Sequence, residues 1–243
     1  MGPFGLMHGL VDALKVAPGV LHLRRASAER NFASNVRSNL FRGVFATAQA
    51  ALASAPPTRP LSYDNEGSAN LYLERLQIDD YDYPSMFWLK QSFDEGMTSL
   101  VDVGGSIGIK YFAFGEFMSY PSNLLWRVID MPAVAERGRE FAASRGAPAA
   151  LQFSGDIADA DGVDIIYASG VLQYLPQTLA EIVAGLKRRP RRIIVNTAAI
   201  HPSKSFFTLN SIGTAFCAYR VQSRDEFVAA VVAQGYTLRH EWR

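Results

Sequence analysis

Residues 100–108 read LVDVGGSIG, an apolar run that ends in a glycine-rich turn. This pattern predicts a buried strand, a tight turn and then a helix around residues 111–117, because glycine lets the backbone turn sharply and approach a ligand closely. A dinucleotide fingerprint needs glycines spaced G-x-G-x-x-G. Counting from Gly104 puts Ser106 and Ile109 at the other two positions, so the spacing disfavours a pyrophosphate site.

Downstream of this turn, short apolar runs alternate with helical stretches, the pattern of βαβ units. We expect an α/β fold with a Rossmann-like, doubly wound, mostly parallel sheet and helices on both faces. Capping boxes at Thr178 with Glu181 and at Ser223 with Glu226 predict two helix starts. The predicted strands are Ser99 to Val103, Leu124 to Asp130, Ala150 to Phe153, Val163 to Ala168, Arg192 to Asn196 and Tyr236 to Glu241.

Upstream of the turn the sequence predicts helices. The pattern is weak through residues 1–35, a helix is expected from Phe41 to Ala53, and a proline break follows at residues 54–57. Further helices are expected at residues 66–77 and from Pro84 to Phe93. The interpretation is an N-terminal helical extension or cap over residues 1–95 and a cofactor-binding domain over residues 96–243.

Composition narrows the class of protein. The 243 residues are 49% hydrophobic and 19% charged, with a net charge of +1 and one cysteine. This indicates a globular domain, no broad electrostatic field for nucleic acid, and no disulfide or multi-cysteine zinc site. The N-terminal stretch predicts neither a signal peptide nor a membrane span, so we expect a cytoplasmic protein. The basic run at residues 187–192 fits a solvated helix end.

A second chemical signal is the acid that closes the next predicted strand. Asp130 follows the run 126–129, a little over twenty residues after the glycine turn. That spacing places a carboxylate at the carboxyl end of the neighbouring strand, where it can accept two ribose hydroxyls. The alternative is that Asp130 only caps the helix that begins at Pro132.

These features together resemble the class I S-adenosylmethionine-dependent methyltransferases. Asp102, Gly104 and Gly108 match the family's first motif, and Ser106 departs from its usual middle glycine. The resemblance implies that Asp130 binds ribose, that Met131 lies against adenine, and that the aspartate of the run Ser154-Gly155-Asp156-Ile157 holds the adenine amino group. The implied cofactor contacts are Asp102, Gly104, Gly105, Ser106, Gly108, Asp130, Met131, Asp156, Ile157 and Ser169. Asp159, Asp161 and Asp164 crowd the same loop, and one of them is an alternative to Asp156.

The run from Asp164 to Pro176 looks like the fourth motif of that family. Ser169, the Leu172-Gln173-Tyr174-Leu175 run and the Tyr81-Asp82-Tyr83-Pro84 segment are similar to a group of bacterial methyltransferases associated with polysaccharide gene clusters. The resemblance implies S-adenosylmethionine as methyl donor, S-adenosylhomocysteine as product, and O-methylation of a small molecule or a saccharide.

Catalytic and acceptor-binding residues are less clearly marked. His201 follows the predicted fifth strand and can accept a proton near neutral pH, which makes it the candidate base; a surface histidine before Pro202 is the alternative. Gln173 and Tyr174 are expected to orient the acceptor, unless Tyr174 only packs over the cofactor. The segment 203–221 is expected to form an acceptor wall, or else to join the cap to the sheet by its aromatics. The expected acceptor contacts are Tyr81, Tyr83, Asn210 and Tyr219.

Other interpretations stay open. The chain could be an adaptor that kept the fold without turnover, or, less in keeping with the glycine spacing, a nicotinamide-dependent oxidoreductase. A class I sheet normally ends with a seventh, antiparallel strand, which the sequence does not show after residue 241. We therefore expect a missing C-terminal strand, or an edge that a partner chain such as a second copy completes as a homodimer.

Overall fold

A computed structural model describes residues 18–34, 39–62 and 76–242. The helices in these ranges are α1 Pro18–Ala33, α2 Ala48–Ala53, α3 Tyr83–Asp94, α4 Ile109–Gly115, α5 Pro132–Ser144, α6 Leu179–Gly185 and α7 Arg224–Val232. The strands are β1 Leu40–Phe45, β2 Ser99–Val103, β3 Leu125–Ile129, β4 Leu151–Ser154, β5 Ile165–Ser169, β6 Arg192–Asn196, β7 Ile200–His201, β8 Phe206–Ser211 and β9 Phe216–Ser223. Short 3₁₀ helices span Asp80–Asp82 and Ile157–Ala160.

The larger sheet has five strands in the order β4-β3-β2-β5-β6, and every neighbouring pair is parallel. The predicted bounds of β2 and β6 are confirmed, and those of β3, β4 and β5 differ by one or two residues. Strand order reverses beside β2, which makes the carboxyl ends of β2 and β5 the topological switch point where ligands of open α/β sheets bind.

Helices cover both faces of this sheet, as the near-continuous apolar strands require. On one face Leu100, Trp126 and Tyr167 pack with side chains of α3, α4 and α5. On the other face Val101 and Ile166 pack with side chains of α6 and α7. The fold is therefore the predicted Rossmann-like, doubly wound α/β arrangement.

The smaller sheet has four strands in the order β1-β8-β9-β7. β1 pairs with β8 and β8 with β9 in antiparallel fashion, so the segment expected to form an acceptor wall is a hairpin. Because β1 comes from the predicted N-terminal cap and β8 from the predicted cofactor domain, this sheet crosses the boundary expected at residue 95. The cap is therefore not purely helical.

The predicted helix from Phe41 to Ala53 is wrong in its first half. Residues 40–45 form β1, where Gly43 adopts a left-handed φ of 75° that a helix would not contain. The helix begins only after Thr47, whose side chain accepts a hydrogen bond from Ala50 N at 3.1 Å. An N-cap of this kind satisfies an amide that the first turn leaves unpaired.

The strand predicted from Tyr236 to Glu241 is also wrong. These residues form no regular element, and side chains attach them to the rest of the fold. The Tyr236 hydroxyl donates to Pro190 O at 2.8 Å, and Trp242 Nε1 donates to Asn196 Oδ1 at 3.2 Å.

One of the two predicted capping boxes is present. Glu181 N donates to Thr178 Oγ1 at 3.3 Å and Thr178 N donates to Glu181 Oε2 at 2.6 Å, as predicted for α6. At the start of α7 the Ser223 side chain makes no capping bond. Instead Ser205 Oγ accepts from Ser223 N at 2.8 Å and donates to Glu226 Oε2, so a distant hydroxyl takes the place of the predicted box.

Most of the helix predicted at residues 66–77 lies outside the described residues. Among the helices that the structure describes, none combines the length and apolar character needed to cross a membrane.

Candidate cofactor and acceptor site

The glycine turn lies at the switch point and leaves no room for a side chain at Gly104 or Gly105. Gly104 has a φ of 69°, and a Cβ atom there would lie 2.3 Å from Val171 Cγ2. At Gly105 a Cβ would lie 2.5 Å from the carboxyl carbon of Asp102. Both positions therefore need glycine, one for its conformation and contact and the other for the close approach of Asp102. Ser106 takes the next left-handed position, with a φ of 55°.

Asp102 supports this turn from behind. Its side chain is buried against the backbone of Gly105, and Trp126 Nε1 donates to its Oδ2 at 3.3 Å. Burial raises the pKa of Asp102 to about 7, the Trp126 hydrogen bond lowers it, and the charge of Asp130 adds to the increase. The carboxyl is thus a desolvated group packed behind the glycine turn, with an unusual proton affinity.

Asp130 meets the glycine turn directly. Ser106 N donates to its Oδ2 at 2.9 Å, and Met131 N donates to its Oδ1 at 2.8 Å. Burial raises the pKa of Asp130, while these two hydrogen bonds lower it. Each carboxylate oxygen can accept more than one hydrogen bond, so both retain acceptor capacity toward a ligand. Met131, at the N-terminus of α5, is exposed beside it.

The aspartates that follow β4 make different hydrogen bonds. Asp156 is exposed, and its Oδ1 accepts from Ala158 N at 2.8 Å, so it caps a 3₁₀ turn. Asp159 accepts from Ser154 Oγ, and Asp161 Oδ1 accepts from Arg188 N at 2.7 Å. Asp164 binds Thr98 N and Ser99 N at the amino-terminal edge of the sheet, which removes it as an alternative to Asp156.

The loop after β5 carries the next candidates. Ser169 Oγ lies 3.2 Å from Oγ1 of Thr197, the residue that follows β6. Gln173 is buried, and its Nε2 donates to Gly170 O at 2.7 Å. Its Oε1 is buried with no hydrogen-bond partner among the described residues. A buried amide oxygen without a hydrogen-bond partner costs free energy. The role predicted for Gln173, which is to orient the methyl acceptor, stays a prediction.

Tyr174, Asn210 and Tyr219 are brought together where this loop meets the smaller sheet. Tyr174 donates to Asn210 Oδ1 at 2.9 Å and packs edge-on against Tyr219, with ring centroids 5.2 Å apart. Phe41 of β1 packs against Tyr219 at 4.9 Å. Asn210 is fully buried and also donates to Leu40 O at 3.2 Å. Its amide therefore joins structural elements and is not exposed to an acceptor, contrary to the contact expected for it.

His201 is placed in a way that disfavours the predicted role of base. Its Nδ1 accepts from Ser203 N and from Lys204 N, each at 3.1 Å. In the neutral ring that arrangement puts the hydrogen on Nε2, so neither nitrogen offers a lone pair to a substrate. His201 lies in β7, beside Phe206, and stabilises a turn.

Tyr81 and Tyr83 lie apart from that cluster, at the start of α3. Both are about half exposed, and Tyr81 donates to Asp79 Oδ2 at 2.5 Å. The residue between them, Asp82, is fully buried and bound to Lys110 Nζ at 2.6 Å. The sequence pattern singled out the two tyrosines and missed Asp82, although a signal was present: an acid flanked by aromatics before a helix-starting proline.

Within the described residues, histidine, cysteine, aspartate and glutamate form no cluster of three or more that could bind a metal ion.

No family model and no curated protein matches this chain. Solved structures do resemble it. The mitomycin 7-O-methyltransferase MmcR shares 24% identity over 58% of this chain and 43% of its own, with a TM-score of 0.40. The N-terminal domain of EvdMO1, solved with S-adenosylhomocysteine and D-fucose, shares 12% identity over 64% and 73%, with a TM-score of 0.45. PigF with S-adenosylhomocysteine shares 15% over 65% and 50%, with a TM-score of 0.44.

The chain spans about half the length of MmcR and of PigF. Each likeness is one of fold, and the residues of this chain carry the assignment of function.

Proposed function

We propose that this chain is an S-adenosylmethionine-dependent methyltransferase that O-methylates a small molecule or a saccharide. The observation that carries the proposal is the meeting of the glycine turn and the Asp130 carboxylate, joined by the 2.9 Å hydrogen bond from Ser106 N to Asp130 Oδ2. A nucleoside needs this combination: backbone that a ligand can approach and a carboxylate with acceptor capacity for ribose hydroxyls.

The chemistry of the residues around the glycine turn also supports this cofactor. A Cβ at Gly104 or Gly105 would collide with Val171 or Asp102, so the turn keeps its backbone bare. Asp130 would bind the ribose, Met131 would cover one face of the adenine, and Asp156 would receive its amino group. Once bound, S-adenosylmethionine supplies an electrophilic methyl group on a sulfonium.

The protein's part in such a reaction is positioning. In-line transfer requires the acceptor oxygen, the methyl carbon and the sulfur to be collinear in a site that excludes water. Gln173 lies on the loop after β5 with its Oε1 buried and unpartnered, so a local rearrangement that exposes this oxygen would let it accept a hydrogen bond from an acceptor hydroxyl. Tyr174, Tyr219 and Phe41 form aromatic surface beside it that suits a sugar face or an aromatic ring.

Calorimetric titration with S-adenosylhomocysteine tests the proposal. We expect saturable binding to the unmodified chain, and a loss of about tenfold or more in Asp130→Asn, the range for hydrogen bonds to a charged group. Glu136→Gln, which removes an equal charge from an exposed ion pair on α5, is the matched control and should bind normally.

Three results would oppose the proposal in different ways. Absence of binding at millimolar concentration would refute it. Binding of NADH in place of S-adenosylhomocysteine would support an oxidoreductase. Cofactor binding without methyl transfer to any of a panel of sugars, phenols and cellular extracts would support an adaptor.

A further inference from the structure

A buried carboxylate links the segment before α3 to the cofactor side of the molecule. Asp82 is 0% exposed. Its Oδ2 binds Lys110 Nζ at 2.6 Å and accepts from Asp79 N at 2.9 Å, and its Oδ1 accepts from Asn196 Nδ2 at 3.3 Å. Three stretches that are distant in sequence therefore meet at one side chain: the 3₁₀ turn, the first turn of α4 and the end of β6.

Stability alone is a weak reason for this arrangement. Removing two opposite charges from water costs about as much as their attraction returns, and apolar replacements of buried ion pairs are often neutral or stabilising. The ion pair therefore needs an explanation beyond its own contribution to stability.

Lys110 has capacity to bind a further group. Its side chain is 16% exposed, and an ammonium has three donors, of which Asp82 takes one. The rings of Tyr81 and Phe114 flank it, with centroids 5.9 and 5.8 Å from Nζ. The ammonium is thus fixed in direction by Asp82 and two rings, in a side chain that is not fully buried.

The order of the strands determines what would reach this ammonium. Under the proposed function, on which this step rests, ribose lies at the end of β3 and adenine at the end of β4. The sheet order β4-β3-β2-β5-β6 then sends the methionine end the other way, across β2 toward β5 and β6. Asn196 ends β6 and Lys110 follows the glycine turn after β2, so the ion pair lies on that half.

We propose that Lys110 binds the carboxylate of the cofactor's methionine end and that Asp82 is a positioning residue that holds Lys110 for this purpose. The segment 79–83 thereby becomes part of the cofactor site, although it precedes the predicted cofactor domain. Asp82 acts through Lys110 and does not itself contact the cofactor.

Two ligands distinguish this role from a structural one. S-adenosylhomocysteine has the amino-acid end, whereas 5′-methylthioadenosine keeps the nucleoside and the sulfur without it. In calorimetric titrations, Lys110→Met should lower the affinity for S-adenosylhomocysteine about tenfold or more. The affinity for methylthioadenosine should fall less than about twofold, because only S-adenosylhomocysteine loses a charge-assisted hydrogen bond. Asp82→Asn should change the two affinities in the same selective way.

Further variants separate positioning from packing. Lys110→Arg keeps the charge and should recover most of the S-adenosylhomocysteine affinity. The double variant Asp82→Asn/Lys110→Met should bind no more weakly than Lys110→Met alone, because Asp82 acts through Lys110. Asp94→Asn, which breaks the exposed Lys90–Asp94 pair on α3, is the matched control and should change neither affinity.

If Lys110→Met lowers the affinity for both ligands equally, or for neither, the inference is overturned while the proposed function stays in place. Additive losses in the double variant would overturn the positioning role of Asp82. An unmodified chain that binds neither ligand refutes the proposed function and this inference together. Thermal unfolding of each variant checks that it folds. If Asp82→Asn does not fold, the Lys110 variants alone test the inference.

Discussion

The two sheets of this protein use their buried polar groups differently. At the carboxyl edge of the five-stranded sheet, Asp130 and Lys110 are bound to protein on one side and keep hydrogen-bonding capacity on the other. In the four-stranded sheet, Asn210 donates to Leu40 O and accepts from Tyr174, and Thr208 donates to Arg42 O. The first pattern is the one expected of the proposed cofactor site, and the second is that of a joint between segments.

This contrast predicts where a substitution acts. Changes at the carboxyl edge should alter ligand binding, and changes inside the smaller sheet should alter stability with cofactor affinity preserved. The Asp130 and Lys110 variants test whether changes at the carboxyl edge alter ligand binding. Substitutions at other residues of the two sheets test the contrast further.

The largest effect is expected for Gly104→Ala. The new Cβ would lie 2.3 Å from Val171 in a left-handed backbone conformation, which should cost about 3–5 kcal/mol of unfolding free energy and abolish S-adenosylhomocysteine binding. Gly96→Ala is the matched control, because Gly96 has a φ of 78° and an added Cβ would have no neighbour within 4 Å; it should lose only about 1 kcal/mol. Chemical denaturation of both variants decides, and equal losses would show that the contact with Val171 is unimportant.

The next effect concerns Asp102 and depends on pH. Burial raises the pKa of Asp102 from 3.8 to about 7. The unfolded chain therefore releases this proton at lower pH than the folded chain, so stability falls as pH rises between these two values and then levels off. Asp102→Asn removes the ionisation and keeps the shape, and it should be more stable than the unmodified chain at pH 8 by roughly 2–4 kcal/mol.

Denaturation of the two proteins between pH 4 and pH 8 measures this difference. The advantage of the variant should be small near pH 4 and should grow toward pH 7. A difference that stays constant with pH would mean that Asp102 ionises in the folded chain as readily as in the unfolded one.

Asn210→Ala examines the smaller sheet. It removes the hydrogen bonds to Leu40 O and from Tyr174, which should cost about 2–3 kcal/mol because the groups left behind are buried. The affinity for S-adenosylhomocysteine should stay within about twofold of the unmodified value, since hydrogen bonds of this joint do not reach the glycine turn. Weakened cofactor binding in a folded variant would show that the two sheets are coupled.

The five-stranded sheet was predictable because each of its signals is local. The apolar run, the turn and the following acid that define β2 and β3 are close together in the sequence, and pairing of parallel strands brings their carboxyl ends together without further information. The contact between Ser106 and Asp130 follows from that geometry.

The smaller sheet was not predictable in the same way. The pairing of Phe41 with Asn210 joins residues far apart in the chain, and nothing in the run 40–45 indicates its partner. The sequence predicted one helix from Phe41 to Ala53, whereas Gly43 lies within β1 in a left-handed conformation and α2 begins only after the N-cap Thr47. The Asp82–Lys110 pair has the same character, since each charge alone is typical of a solvated surface.

The smallest effect is expected for His201→Asn, where sequence and structure favour different roles. If His201 stabilises the turn at residues 203–204 through Nδ1, asparagine can accept the same amides in a local turn of its own, and unfolding free energy should change by less than about 0.5 kcal/mol. Methyl transfer, measured on any acceptor found in the panel, should then stay within about twofold. If His201 were a catalytic base, the variant would instead lose at least about a hundredfold in rate, so a comparison of single-turnover rates distinguishes the two roles.

Nitrogen-15 spectra of the unmodified chain test the same point independently. An unprotonated Nδ1 in the neutral ring supports the role in the turn. A hydrogen on Nδ1 would leave Nε2 free to accept a proton from a substrate and would support the role of base.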